Sequence, residues 1–225
     1  MELKNYKRGI FIIILYLYII MNIVVSRYKR DTSWTEKFKE FAPDANIMVY
    51  DKETPENPYN VPVNKGNEAS VYLKYIVDYY DALPEYTFFC HDEEFAWHHS
   101  GSIINHFEIA LLSGRKYYNV NDKIILGDIR GNDYGYKSIL DWYEDFIEEY
   151  IPMNSLPNQD WTSGYRGSAQ FLVHKDIIRC LPKKFYENLY TWITRTTITS
   201  AQSGRFLEWT WHLFWYIYPM LILNK

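Results

Sequence analysis

An apolar, β-prone run, Thr87 to Cys90, ends abruptly at His91-Asp92-Glu93-Glu94, the densest group of chemically able side chains in the chain. Strand ends in α/β proteins deliver such residues to the carboxyl edge of the sheet, where ligands bind. Asp92 and Glu94, one residue apart, make a pair of hard oxygen donors suited to Mg²⁺ or Mn²⁺. Such a cation usually serves phosphate chemistry. The competing reading is a solvated acidic turn. His98 and His99 follow Trp97 shortly afterwards, but adjacent histidines need not converge and are not read as a metal pair.

The elements that must position this junction follow from periodicity and turn chemistry. Residues 22 to 27 read as a buried strand. A helix capped by Ser33 covers residues 35 to 41, and Pro43 closes it. Residues 45 to 50 read as a second strand, followed by a Pro- and Asn-rich loop over 51 to 64. Glu68 to Tyr80 carries the broad apolar stripe of an amphipathic helix, and Tyr86 to Cys90 is the third strand. Alternating strands and helices predict an α/β protein, and right-handed crossovers bring residues 27 to 31 and 91 to 94 to one edge. Further helices are expected over 102 to 112, 141 to 150, 183 to 194 and 204 to 216. Residues 169 to 174 read as a strand, and 113 to 136 as irregular.

A chain of 225 residues suits one well-buried domain. A net charge of -4 argues against binding nucleic acid by charge. The aromatic share of 19% suits ring-lined pockets and ordinary cores alike. Cys90 and Cys180 follow no metal-ligand or disulfide spacing. Before Met21, the basic Lys4, Lys7 and Arg8 precede an apolar stretch, so residues 9 to 25 resemble a signal-anchor of marginal length. Residues 1–20 are therefore expected to be a hydrophobic extension or anchor, and residues 21–225 the domain. Translation from Met21 would place the protein in the cytoplasm, and retention of the segment at a membrane.

Ile23 to Trp34, Asn64 to Pro84, Ser168 to His174, Pro182 to Tyr186 and Leu207 to Phe214 resemble, in this order, a family of small proteins of fungi and large DNA viruses. That family is similar to the N-terminal glycosyltransferase domain of a chlorella-virus protein that builds capsid glycans. The resemblance implies a GT-A fold with a mixed, mostly parallel central sheet flanked by helices, a nucleotide-sugar donor (a UDP-sugar favoured), Mn²⁺ or Mg²⁺, and a glycan or glycoprotein acceptor.

On that resemblance, Asp92 and Glu94 stand for the Asp-X-Asp metal motif, with Glu93 a possible sharer and His212 completing the shell. Glu208, one helical turn before His212, is the implied base that deprotonates the acceptor, and Asp160 a second candidate. Arg27 and Tyr28 would meet the diphosphate and the base, and Asp31 the uracil or ribose. Lys65 and Asn67, ahead of the helix at Glu68, would approach the donor, and one of His98 and His99 the acceptor sugar. Each has an ordinary structural use as well: salt bridges at a strand end for Arg27 and Asp31, an interfacial ring for His212, a partner for Arg205 at Glu208. Two other outcomes stay open, a non-catalytic carbohydrate- or nucleotide-binding protein and a metal-dependent sugar-nucleotide hydrolase. A serine or cysteine nucleophile and a dinucleotide site are unsupported, since neither the strand–Ser–helix elbow nor the glycine fingerprint is present.

Overall fold

Met21–Arg27 (β1) is hydrogen-bonded along both edges, to Asn46–Asp51 (β2) on one side and Tyr86–His91 (β3) on the other, in parallel each time. The computed structural model describes residues 20–122, 138–156 and 169–223. The extension 1–20, apart from Ile20, and Asp160 therefore lie outside the described residues. Among the described residues, no helix is long and apolar enough to cross a membrane.

The sheet is completed by Tyr117–Asn119 (β4) and Phe171–His174 (β5), in the order β2-β1-β3-β5-β4. Strand β5 runs antiparallel to both of its neighbours, so the sheet is mixed and mostly parallel, as expected. The short β4 falls within the stretch expected to be irregular; three residues are too few to show a period of two.

Both faces of the sheet are covered, which explains the near-continuous apolar character of β1 and β3. Ile23, Val25, Phe88, Cys90 and Leu172 point to one face and pack with Phe38 and Phe107. Phe38 belongs to the 3-10 helix Ser33–Glu40, and Phe107 to Ile103–Leu112 (α2). Val24, Phe89, Phe171 and Val173 point to the other face. There they meet Ala69–Tyr79 (α1), Lys183–Arg195 (α5), Ser200–Glu208 (α6) and the C-terminal aromatic turns. Ser138–Phe146 (α3) and the single turn Lys175–Ile178 (α4) complete the helices ahead of these, and Tyr218–Leu223 (α7) ends the described chain. The helix expected over 204 to 216 is divided: α6 ends at Glu208 and a π-helical turn follows at Leu213–Ile217.

The turn into α1 decides where the cleft floor lies. Gly66 and Asn67 both have left-handed backbones, with φ of 66° and 49°. Glycine and asparagine are the residues that enter this region most readily. A Cβ on Gly66 would stand 2.1 Å from Cδ1 of Ile193, and a Cβ on Gly204 would stand 2.9 Å from Nδ2 of Asn67. The turn is therefore pressed between α5 and α6, and Asn67 and Glu68 are held against them. Gly66→Ala is expected to lower unfolding stability by at least about 2 kcal/mol, through the left-handed penalty and overpacking together. Urea denaturation measures this, and adding Ile193→Ala is expected to recover part of the loss.

Candidate functional site

Chain order reverses about β1: the crossover from β1 leads to β2 on one side, and the next returns to β3 on the other. The carboxyl ends of β1 and β3 therefore diverge into a crevice, the usual place for a ligand in an open α/β sheet. Their last paired residues are Ser26 and His91. Just beyond, the Tyr28 amide donates to Asp92 Oδ2 at 2.7 Å.

Two adjoining cavities occupy this edge. The first, about 420 Å³, is bordered by Tyr28, Arg30, Lys52, Asp92 and Glu93. The second, about 430 Å³, is bordered by Trp97, His98, Arg205, Glu208 and Trp209. Asn67, Glu68 and His91 line both and form the wall between them. Trp97 is 56% exposed and lies over His98, with ring centroids 4.0 Å apart. Phe95, 68% exposed, belongs to the same loop.

Of the sequence-predicted residues, Tyr28 and Asp92 line the first cavity, Glu208 the second and Asn67 both. Burial raises the pKa of Asp92, while the Tyr28 amide and Arg30 act to lower it. Arg30 Nε lies 3.8 Å from Asp92 Oδ1, and its guanidinium pairs with Glu93.

The others are engaged elsewhere. Arg27 pairs with buried Asp51, because strand register sets the two opposite each other at the ends of β1 and β2. Asp31 accepts hydrogen bonds from the Ser33 hydroxyl at 2.7 Å and the Ser33 amide at 3.0 Å, which lower its pKa. Lys65 donates to the carbonyl of Ile198 in the loop before α6. Glu94 is turned toward α2: Oε2 pairs with Lys37 at 2.7 Å and Oε1 accepts from Ser102 at 2.8 Å. Partial burial raises the pKa of Glu94, but the Lys37 and Ser102 bonds outweigh it and the net shift is downward. His212 is buried and is not among the residues bordering either cavity. Among the described residues, no group of three or more His, Cys, Asp or Glu is placed to hold a metal ion.

Arg30, Lys52, Glu68 and His91 are site residues that sequence reasoning did not assign. A signal existed for Lys52: it follows β2 just as Tyr28 and Asp92 lie beyond β1 and β3. Nothing local marks Glu68. Burial and the nearby Glu208 push its pKa up to about 8, although Lys52 acts in the opposite sense. Burial likewise brings Lys52 down to about 8, against the pull of Glu68 and Asp92. His91 is held neutral, with a pKa lowered to about 3 by burial and by the neighbouring histidines and cations.

The fold and cleft define a mixed α/β protein with a polar, two-chambered site at the switch point of its sheet. Residues 23–220 match the model of a family described as a protein of unknown function, DUF3431, and the chain belongs to that family. No curated protein and no solved structure matches it.

Folded Glu68 keeps its proton up to about pH 8, whereas the unfolded residue releases it near 4.5. Between these values the native state binds more protons, so this residue's contribution to stability falls as pH rises. His91 acts with the opposite sign between about 3 and 6.5. The Glu68 component is therefore read as a difference between wild type and Glu68→Gln. In urea titrations from pH 5 to 8, wild type is expected to lose stability relative to the variant, on the order of 1 kcal/mol or more.

Proposed function

We propose that the chain is a GT-A-type glycosyltransferase that moves a sugar from a nucleotide-diphosphate donor, a UDP-sugar favoured, to a hydroxyl of a glycan or glycoprotein. The observation that carries this reading is the pair of adjoining chambers, with Asp92 in one and Glu208 in the other.

The first chamber suits the nucleotide. Tyr28 is exposed at its edge and offers a ring for a base to stack on, while Arg30 and Lys52 offer positive charge to a diphosphate. The second suits the acceptor. The exposed Trp97 gives a flat apolar face of the kind a sugar ring packs against, in the chamber that also holds the carboxylate of Glu208. Glu208 takes the proton from the acceptor hydroxyl as its oxygen bonds to the anomeric carbon, and the bond from that carbon to the diphosphate breaks.

A divalent cation fits the first chamber in a limited way. Mg²⁺ commonly takes one or two carboxylates and completes its shell with phosphate oxygens and water. Asp92 would supply one carboxylate, with Glu93 beside it; Glu94 is committed to Lys37 and Ser102. Bound there, the cation would neutralise charge developing on the departing diphosphate. Arg30 would orient that group directly, Asp92 only by holding the cation, and the flanking walls would restrict water.

The engagement of Glu94 favours a second reading, a nucleotide- or carbohydrate-binding protein that performs no transfer. The two separate on titrating the purified protein with a panel of UDP- and GDP-sugars, with and without Mn²⁺, and following transfer and free-sugar release. Saturable, cation-dependent binding of one donor and its transfer to an acceptor are expected. Binding without turnover would favour the second reading, and no binding to any panel member would remove the transferase reading. Asp92→Asn is expected to lower turnover by at least about 10²-fold. Glu208→Gln should cost about 10²-fold or more. Glu94→Gln should stay within about threefold of wild type.

A further inference from the structure

The wall between the chambers carries polar groups that the reading above leaves unused. His91 Nε2 and His98 Nδ1 are buried without a hydrogen-bond partner. His98 is only 7% exposed, yet it borders the second cavity. Glu68 Oε2 stands 3.7 Å from His91 Nε2, and Glu208 Oε1 stands 3.8 Å from His98 Nε2. Both separations exceed a direct hydrogen bond, but an oxygen placed to one side of either pair reaches both members. The two imidazoles meet edge to face with centroids 4.8 Å apart, so the four groups form one continuous strip.

Leaving a buried polar atom unpaired costs about 1–3 kcal/mol, and a ligand hydroxyl would relieve that cost. A neutral imidazole offers one donor and one acceptor, and a hydroxyl offers one donor and two lone pairs. The match is therefore to hydroxyls rather than to an anion, since protonated Glu68 and neutral His91 offer no positive charge and the Glu208 carboxyl belongs to the same strip. Its cationic neighbours are Lys52, which donates to the Asn67 carbonyl, Arg30, whose guanidinium pairs with Glu93 and lies near Asp92, and Arg205, across the second chamber. Glu68 and His91 line both chambers, and a sugar passing from donor to acceptor must occupy that junction.

We propose that Glu68, His91 and His98 form the recognition wall for the ring hydroxyls of the transferred sugar, and that this wall selects an uncharged, polyhydroxylated hexose over a carboxylate-bearing one. The inference rests on the transferase reading and goes beyond it by naming the substrate class and the residues that select it. His98 borders only the second chamber, so removing it leaves Asp92, Arg30, Lys52 and Tyr28 in place, and the nucleotide loses little while the sugar loses a partner.

Calorimetric titration of the full chain with UDP, UDP-glucose, UDP-galactose and UDP-glucuronate in Mn²⁺ tests it. Wild type is expected to bind at least one neutral hexose donor about tenfold or more tighter than UDP-glucuronate, the size expected when a polar site meets a mismatched substituent. Glu68→Ala and His98→Phe should each shrink that ratio to about twofold or less, and His98→Phe, at a residue that borders only the second chamber, should also leave the Kd for UDP within about threefold of wild type. A wild-type ratio near one overturns the proposal by itself, whatever the variants do. So does a ratio undiminished in variants that still bind UDP. If wild type binds neither UDP nor any UDP-sugar, the UDP-sugar reading fails and this inference fails with it. Normal donor binding without hexose preference leaves the transferase reading standing and removes only the wall.

Discussion

The bond from the Tyr28 amide to the Asp92 carboxylate is the interaction on which the geometry of the cleft depends. Pairing of β1 with β3 ends at Ser26 and His91, and beyond it the two chains separate. A carboxylate accepting that amide replaces the backbone ladder with a side-chain link, so the crevice opens at a fixed place. A charge-assisted bond of this kind is stronger than a neutral one. Lys29, in the left-handed region with φ 64°, turns the chain so that Arg30 returns toward the same carboxylate. The residue that closes the seam is also the one that faces the first chamber.

The surrounding charges are divided by register and by packing. Arg27 and Asp51 oppose each other across two parallel strands and are consumed there. Glu94, two residues beyond Asp92, points instead to the 3-10 helix and to the start of α2, where Lys37 and Ser102 hold it. The acidic corner thus serves two purposes. Asp92 and Glu93 face the cleft, and Glu94 fastens a helix to the sheet edge.

On the other side, the Gly66-Asn67 turn fixes Glu68 where the chambers meet. Close approach to Ile193 and Gly204 ties that placement to α5 and α6, more than a hundred residues later in the chain. Tight packing in the interior leaves such a turn little room to move. The same helix α6 carries Arg205 and Glu208, so both walls of the second chamber are set by one contact between the turn and that helix.

The sequence alone determined the order and type of most elements, the α/β class, and the convergence of residues near 28 and 92 on one edge. These follow from local periodicity and from the handedness of crossovers, which a short window of residues carries. It missed β4, too short to show a period, and joined α6 to the turns after it because their aromatic residues continue an apolar pattern. Asp92, Tyr28 and Asn67 were legible as cleft residues from their places at strand and helix ends, and Glu208 from the family resemblance. Only the tertiary structure decided that Arg27, Asp31, Lys65 and Glu94 are spent on neighbours, and that Glu68, His91 and His98 share a wall. A side chain's partner is fixed by distance in space, and distances between residues far apart in the chain are set by packing that no local pattern encodes.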